Sequence, residues 1–241
     1  MKLHHFFVTP QSIQGRTARI DDANACKQIA RVLRLKVGDE ILLLDGDGFE
    51  YTCALTTVGA KGVVGEIIHR QQNATESALK ITLYQANLKK DNFEWAVQKC
   101  TEVGVAAFVP IQTERSEKLQ LNVERAEKII TEAAEQSGRG IVPTLAEPQP
   151  LADALRRVCR ADVPNFILHS EGDPIKNVAR GTALYAANIF VGPEGGWSDA
   201  ELDTFRQLEK DGYPLQLVSM GPRTLRAETA GLVAAGILLT R

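Results

Sequence analysis

Two stretches near the end of the chain constrain its fold most, because in each an apolar run meets a glycine and proline turn and then a helix-like segment. The first reads Asn188-Ile189-Phe190-Val191-Gly192-Pro193-Glu194-Gly195-Gly196-Trp197-Ser198. The second reads Leu215-Gln216-Leu217-Val218-Ser219-Met220-Gly221-Pro222-Arg223-Thr224-Leu225-Arg226-Ala227-Glu228-Thr229-Ala230. Both have the form of loops at the carboxyl ends of strands, the edge of an open α/β sheet where backbone groups are free to face a small molecule. Glycine lets the backbone approach such a ligand closely, and proline stiffens the turn where no N–H is needed. Two such loops on one edge are expected to close over one ligand.

The rest of the second half supports a parallel sheet. Leu79 to Ala86 reads as a strand, Asp91 with Glu94 opens a helix to about Val103, and Val105 to Ile111 is a strand again. A helix from about Val123 to Ser137 stops at Gly138, Leu151 to Val158 is helical, and Phe166 to His169 is a strand. Ser198 with Glu201 forms a capping box for a helix from about Asp199 to Glu209. This alternation predicts α/β architecture. Glu171-Gly172-Asp173 is then a third strand-end loop on the same edge, although a lone His169 is more often packed than catalytic.

Residues 1–72 have a different rhythm. Phe6-Phe7-Val8 ends before Pro10, and Glu40 to Leu44 runs into Asp45-Gly46-Asp47-Gly48, a strong hairpin signal. Phe49 to Leu55 returns, and Gly62 to Ile68 adds another strand. One helix, Ala23 to Leu33, places Ala23, Cys26, Ile29, Ala30 and Leu33 on one face. The pattern predicts a small β-barrel with a single helix. The opposite face and exit of that helix carry Lys27, Arg31, Arg34 and Lys36; Lys27 reads as part of a solvated face, while Arg31 and Arg34 with His4 and His5 read either so or as a patch that contacts nucleic acid. Polar sequence around Gln71 to Ser77 lacks periodicity, giving a first domain over 1–72, a linker over 73–78 and a second domain over 79–241.

A net charge of −2 argues against a protein that holds nucleic acid by bulk electrostatics, while leaving room for a local basic face. Cys26, Cys53, Cys100 and Cys159 are far apart and make no CxxC pair, so buried free thiols in a reducing cytoplasm are expected rather than a metal site or disulfides. The amino-terminal apolar run is too short for a signal sequence, and no stretch approaches the roughly 20 apolar residues that span a bilayer.

Charges crowd the second loop. Arg223, Arg226 and Glu228 stand at the mouth of the apolar run from Ala230 to Leu239, either as a helix-start ion pair or as site chemistry. Neither GxGxxG nor GxxxxGK[ST] is present, which weighs against a phosphate-binding glycine loop. Lys89, Lys90 and Gln98 read as a solvated loop and helix face. Arg115 ends a strand and Arg139 follows a helix end, so a structural role and RNA binding stay open for both.

The two loops resemble the signature loops of the SPOUT class of RNA methyltransferases, and closely resemble the bacterial ribosomal RNA small-subunit methyltransferase E family. Val32 to Asp39, Trp95 to Val105 and Glu132 to Arg139 are similar to further stretches of that family, in order and across nearly the whole chain. The resemblance implies S-adenosylmethionine as cofactor and methylation of uridine N3 in 16S ribosomal RNA within the small subunit. It also implies a carboxyl-terminal trefoil knot, a PUA-like RNA-binding first domain, and a homodimer. It implies catalytic roles for Arg226 and Glu228. Cofactor contacts would come from Leu168, His169, Gly172, Val191, Gly192, Pro193, Glu194, Gly195, Ser219, Met220, Gly221, Leu225, Thr229 and Ala230. RNA contacts would come from His5, Arg31, Arg34, Arg115, Arg139 and Arg223, and the resemblance places Lys89, Lys90 and Gln98 on the substrate side. His5 stands where the family usually has arginine, and Gln28 where it usually has histidine. The alternative is a non-catalytic RNA-binding or ribosome-assembly protein of the same fold.

Overall fold

The computed structural model describes residues 3–89, 91–116, 121–178 and 184–240. It divides into two compact units, one of residues 1–76 with 134–142 and one of residues 77–133 with 143–241.

The first unit is built on β1 (His5–Phe7), β2 (Ile13–Gln14), β3 (Thr17–Ile20), α1 (Ala23–Lys27), β4 (Glu40–Leu44), β5 (Phe49–Gly59) and β6 (Gly62–Gln72). The strands form one six-stranded sheet in the order β1-β4-β5-β6-β3-β2, with β1 parallel to β4 and the other pairs antiparallel. The β4–β5 turn forms because the Asp45 carboxylate accepts from the Asp47 and Phe49 N–H groups at 2.9 and 3.1 Å, while Gly46 and Gly48 take positive φ. Phe6, Ile29, Ile41, Leu43, Leu55 and Val63 fill the core.

The expected single helix changes character midway. It is α-helical to Lys27, continues as a π turn over Gln28–Val32, and is followed by Arg34 with φ +56°. Residues 73–76, read above as linker, are instead built into this unit together with 134–142. Asn73 is buried, its amide donates to the Gly138 carbonyl at 3.1 Å, and Phe7 N–H donates to Glu135 at 2.8 Å.

The second unit contains β7 (Lys80–Ala86), α2 (Asn92–Val103), β8 (Ala107–Gln112), α3 (Val123–Ser137, its last turn belonging to the first unit), β9 (Thr144–Leu145) and β10 (Gln149–Pro150). It continues with α4 (Leu151–Val158), β11 (Asn165–Pro174), α5 (Ile175–Val178), β12 (Ala186–Val191), α6 (Asp199–Lys210), β13 (Leu215–Ser219) and α7 (Ala227–Leu239). The sheet is parallel throughout, in the order β10-β8-β7-β12-β11-β13 with β9 on β8. Tyr84 and Phe190 stack at 4.2 Å across β7 and β12, and Phe205 of α6 is fully buried beside them in the same core.

β11 outruns its predicted end. After an irregularity between Leu168 and Asp173 it resumes pairing with β13 at Asp173 opposite Val218. Gly172 is needed there, since a Cβ would overlap the backbone of Leu217 and Val218. From β13 at the sheet edge, the chain returns to place α7 against α2, β12 and β7. Gly231 lies on the face of α7 toward β7, where a Cβ would meet the Leu83 and Gln85 side chains at 3.4 Å.

Candidate active site

A cleft of about 750 Å³ opens beside the irregularity in β11, where β12 and β13 end and α7 begins. Its volume lies within the range of about 300–1,000 Å³ usual for small-molecule sites. Leu168, Val191, Met220, Leu225 and Ala230 give it apolar wall, and the glycine turns give it backbone.

The first turn is held from several sides. Trp197 is buried under Gly192, whose Cβ would come 3.1 Å from the indole ring, and its Nε1 donates to the Leu168 carbonyl at 3.0 Å. Phe205 meets the same ring edge-on at 5.1 Å. Gly196 N–H closes the turn on the Pro193 carbonyl at 2.9 Å with φ +69°, a conformation that favours glycine. The Glu194 carboxylate accepts from Lys89 N–H at 3.0 Å and from the Asn92 amide at 3.5 Å. Ser198 and Glu201 form the predicted capping box, which fixes the exit into α6.

In the second loop Gly221 takes φ +103° and its N–H donates to Ser219 Oγ at 3.2 Å. Arg226 is the N-cap of α7 in extended conformation, and its carbonyl accepts from Thr229 and Ala230 N–H. Glu228 follows in the first turn, only 7% exposed, where the helix N-terminus favours negative charge. Arg226 Nη1 lies 4.0 Å from Glu228 Oε1 on a side chain 86% exposed. Glu228 Oε2 has no hydrogen-bond partner among the described residues. A buried carboxylate oxygen left in this state is costly unless something binds it.

The structure brings most of the predicted site together. Leu168, His169, Val191, Gly192, Pro193, Glu194, Ser219, Met220, Gly221, Leu225 and Ala230 line the cleft with Arg223, Arg226 and Glu228. Three expected cofactor residues do not line it. Gly172 packs on β13, a Cβ on Gly195 would face Arg115 at 3.4 Å, and Thr229 is turned away from the lining residues Glu228 and Ala230 by the rotation of α7.

Arg115 donates Nη1 to the carbonyls of Gly195 and Trp197 at 3.3 and 3.0 Å. Arg139 is 4% exposed and paired with Glu76 at 2.7 Å, so its guanidinium, expected to contact RNA, is committed to a buried ion pair and not presented at the surface. In the first unit Arg31 and Arg34 are exposed, while half-buried His5 lies against Gly138.

Lys89 lines the cleft, Gln98 does not, and Lys90 lies outside the described residues. Asn92, Ser170, Gly196, Trp197, Pro222, Thr224 and Ala227 also line it without having been singled out as site residues. Trp197 carried a readable signal, as a large aromatic inside an otherwise small and polar turn. Among the described residues no three or more His, Cys, Asp or Glu side chains gather in a metal-holding group.

With this geometry in place, comparison with known proteins is specific. The RNA methyltransferase domain family matches residues 75–239, and the RNA methyltransferase PUA domain family matches residues 29–68. Ribosomal RNA small subunit methyltransferase E of Bacillus subtilis is 32% identical over 250 aligned positions, covering 97% of this chain and 94% of its own. The structure of Ribosomal RNA small subunit methyltransferase E from Neisseria gonorrhoeae bound to S-adenosylmethionine matches with TM-score 0.86 at 30% identity, over 99% of this chain and 98% of that one. A methyltransferase of Legionella pneumophila, solved with S-adenosylmethionine bound, matches with TM-score 0.83 at 29% identity over 100% and 98%. The full-length likeness in sequence and in fold shows that this chain belongs to the ribosomal RNA small subunit methyltransferase E family.

Proposed function

We propose that this protein methylates N3 of a specific uridine in 16S ribosomal RNA, within the assembled small subunit in the cytoplasm, using S-adenosylmethionine. The observation that carries the reading is the cleft wall itself, where a nearly buried carboxylate with an unpartnered oxygen stands beside an exposed guanidinium. The cleft volume and apolar wall fit the cofactor, and two relatives of matching fold are described with it bound. Bound there, S-adenosylmethionine supplies a methyl group on a sulfonium.

The chain's own residues prepare the acceptor. Uridine N3 attacks once relieved of its proton, and Glu228 Oε2 accepts that proton or orients the group that does. Arg226, reaching into solvent beside it, stabilises the negative charge that then spreads onto the pyrimidine oxygens. Pro193, Met220 and Leu225 exclude water from the reacting atoms. Arg223 on the cleft rim, together with Arg31, Arg34 and His5 of the first unit, contacts the RNA.

The same reading includes the knot and the dimer. The return of the chain from β13 to α7 supports threading of the carboxyl-terminal region. The apolar α7 leaves Val233 36% exposed and open space beside Gly236, which supports a second copy packing on it.

The test is incubation with methyl-labelled S-adenosylmethionine and small subunits from cells lacking this protein, followed by nucleoside analysis. Label in N3-methyluridine of 16S RNA is expected, and Arg226→Ala should depress turnover while cofactor affinity stays near that of the parent. Cofactor binding with label in another nucleoside, or in none, refutes the reading.

A further inference from the structure

We infer that Arg115 is a positioning residue for the cofactor, and that the Thr113-Glu114-Arg115-Ser116 segment after β8 is the outer half of a clamp on the turn 193–198. The inference rests on the S-adenosylmethionine reading above and assigns Arg115 a task different from the RNA contact expected of it. One guanidinium nitrogen bridges two carbonyls of the turn, Gly195 at 3.3 Å and Trp197 at 3.0 Å. A second link runs beside it, since Glu114 N–H donates to Glu201 Oε1 at 2.9 Å while Glu201 Oε2 accepts from Ser198 N–H at 2.8 Å. Glu201 therefore joins the segment to the helix cap with one carboxylate.

The segment is itself fixed. Ser116 Oγ accepts from Thr113 N–H at 3.0 Å and from the Gln112 amide at 2.9 Å, and donates to the Thr113 carbonyl at 3.0 Å. A rigid turn after β8 thus holds a cation against the outer side of the cofactor turn.

The peptide geometry makes this consequential. In the two peptide groups whose carbonyls face Arg115, the N–H belongs to Gly196 and Ser198, and both are also engaged, with Pro193 O and Glu201. Both polar ends of each peptide are therefore committed, which fixes the backbone of Gly196 and Trp197 where they line the cleft. A Cβ on Gly195 would face Arg115 at 3.4 Å, on the side of the turn that the guanidinium holds. Without the guanidinium two carbonyls lose a charge-assisted donor, and the turn samples shapes that do not receive the cofactor.

The experiment compares the intact parent with Arg115→Ala and Arg115→Lys. Titration with S-adenosylmethionine is followed by calorimetry and by Trp197 fluorescence in a Trp95→Phe background, where Trp197 is the remaining tryptophan. Arg115→Ala should raise the cofactor Kd roughly tenfold, because the cofactor must then order a turn that the guanidinium no longer holds. It should leave kcat at saturating cofactor and KM for small subunits within about twofold, and Arg115→Lys, able to reach one carbonyl, should fall between. An unchanged cofactor Kd with a raised KM for subunits overturns the inference in favour of an RNA contact. A cofactor Kd equally raised in Arg115→Lys and Arg115→Ala, with thermal unfolding lowered in both, overturns it in favour of a general structural role. Failure of the parent to bind S-adenosylmethionine strikes the function reading itself and is seen before any variant is compared.

Discussion

Replacing Glu228 with Gln should separate stability from activity. The substitution keeps shape and hydrogen-bonding length, and removes a charge from a side chain only 7% exposed whose Oε2 lacks a partner among the described residues. Loss of the charge's own share of that desolvation gives back about 1 kcal/mol, since the amide that replaces the carboxylate stays buried without a partner. Against it stand about 0.3–1 kcal/mol from the charge at the start of α7. The ion pair to Arg226 adds at most about 1 kcal/mol, because the guanidinium is 86% exposed at 4.0 Å and screened by water. The balance leaves the variant within about 1 kcal/mol of the parent, which for a chain of this size is a shift of about 2–4 °C in Tm at most. Turnover should fall by about 10²–10⁴, the usual contribution of a positioned proton acceptor. Scanning calorimetry paired with single-turnover methyl transfer measures both. A loss of 5 °C or more, or turnover equal to the parent, refutes the reasoning, because the carboxylate would then be held for structure.

Three further outcomes follow from the packing. Gly172→Ala should destabilise by about 3 kcal/mol or more, since its Cβ overlaps backbone in β13 that cannot rotate aside, and chemical unfolding measures this. Arg139→Ala should cost about 3–5 kcal/mol by leaving Glu76 unpaired in a buried site, and adding Glu76→Gln should recover much of the loss in the same assay. Burial holds the Cys100 thiol up at about 12 and Cys53 at about 11, from an ordinary 9.0, so the folded chain keeps protons that the unfolded chain releases. Stability should therefore be full below pH 9 and fall as pH rises toward 12, with a lower urea midpoint at pH 10.5 than at pH 8 and a shallower decline in Cys100→Ala.

The parts legible in the sequence were those set by local chemistry. Asp45-Gly46-Asp47-Gly48 turned as expected because carboxylate and glycine settle the hairpin within a few residues. Ser198 with Glu201 capped α6, and α3 and α4 ran from Val123 to Ser137 and Leu151 to Val158 as their periodicity indicated. What local pattern did not reveal depends on distant partners. The loop read at Glu171-Gly172-Asp173 became strand because β13 offers it a ladder, and the Gln28–Val32 segment took a π turn. In the cleft, glycines that meet the lining were told from Gly172 and Gly195 only by what lies beyond their Cα atoms. Arg115 and Arg139 look alike in sequence as cations after regular elements, yet one holds carbonyls of a turn and the other a buried carboxylate.

The split makeup of the first unit bears on how the chain is born. Its early part, through Glu76, keeps exposed the partners that Glu135, Gly138 and Arg139 later engage at Phe7, Asn73, Thr75 and Glu76. Emerging from the exit tunnel, those residues wait while β7, α2, β8 and most of α3 are made, and only the segment 134–142 completes them. The amino-terminal piece, cut after Glu76 and expressed alone, is therefore an unfinished fold that a separately added peptide of residues 134–142 should help to close.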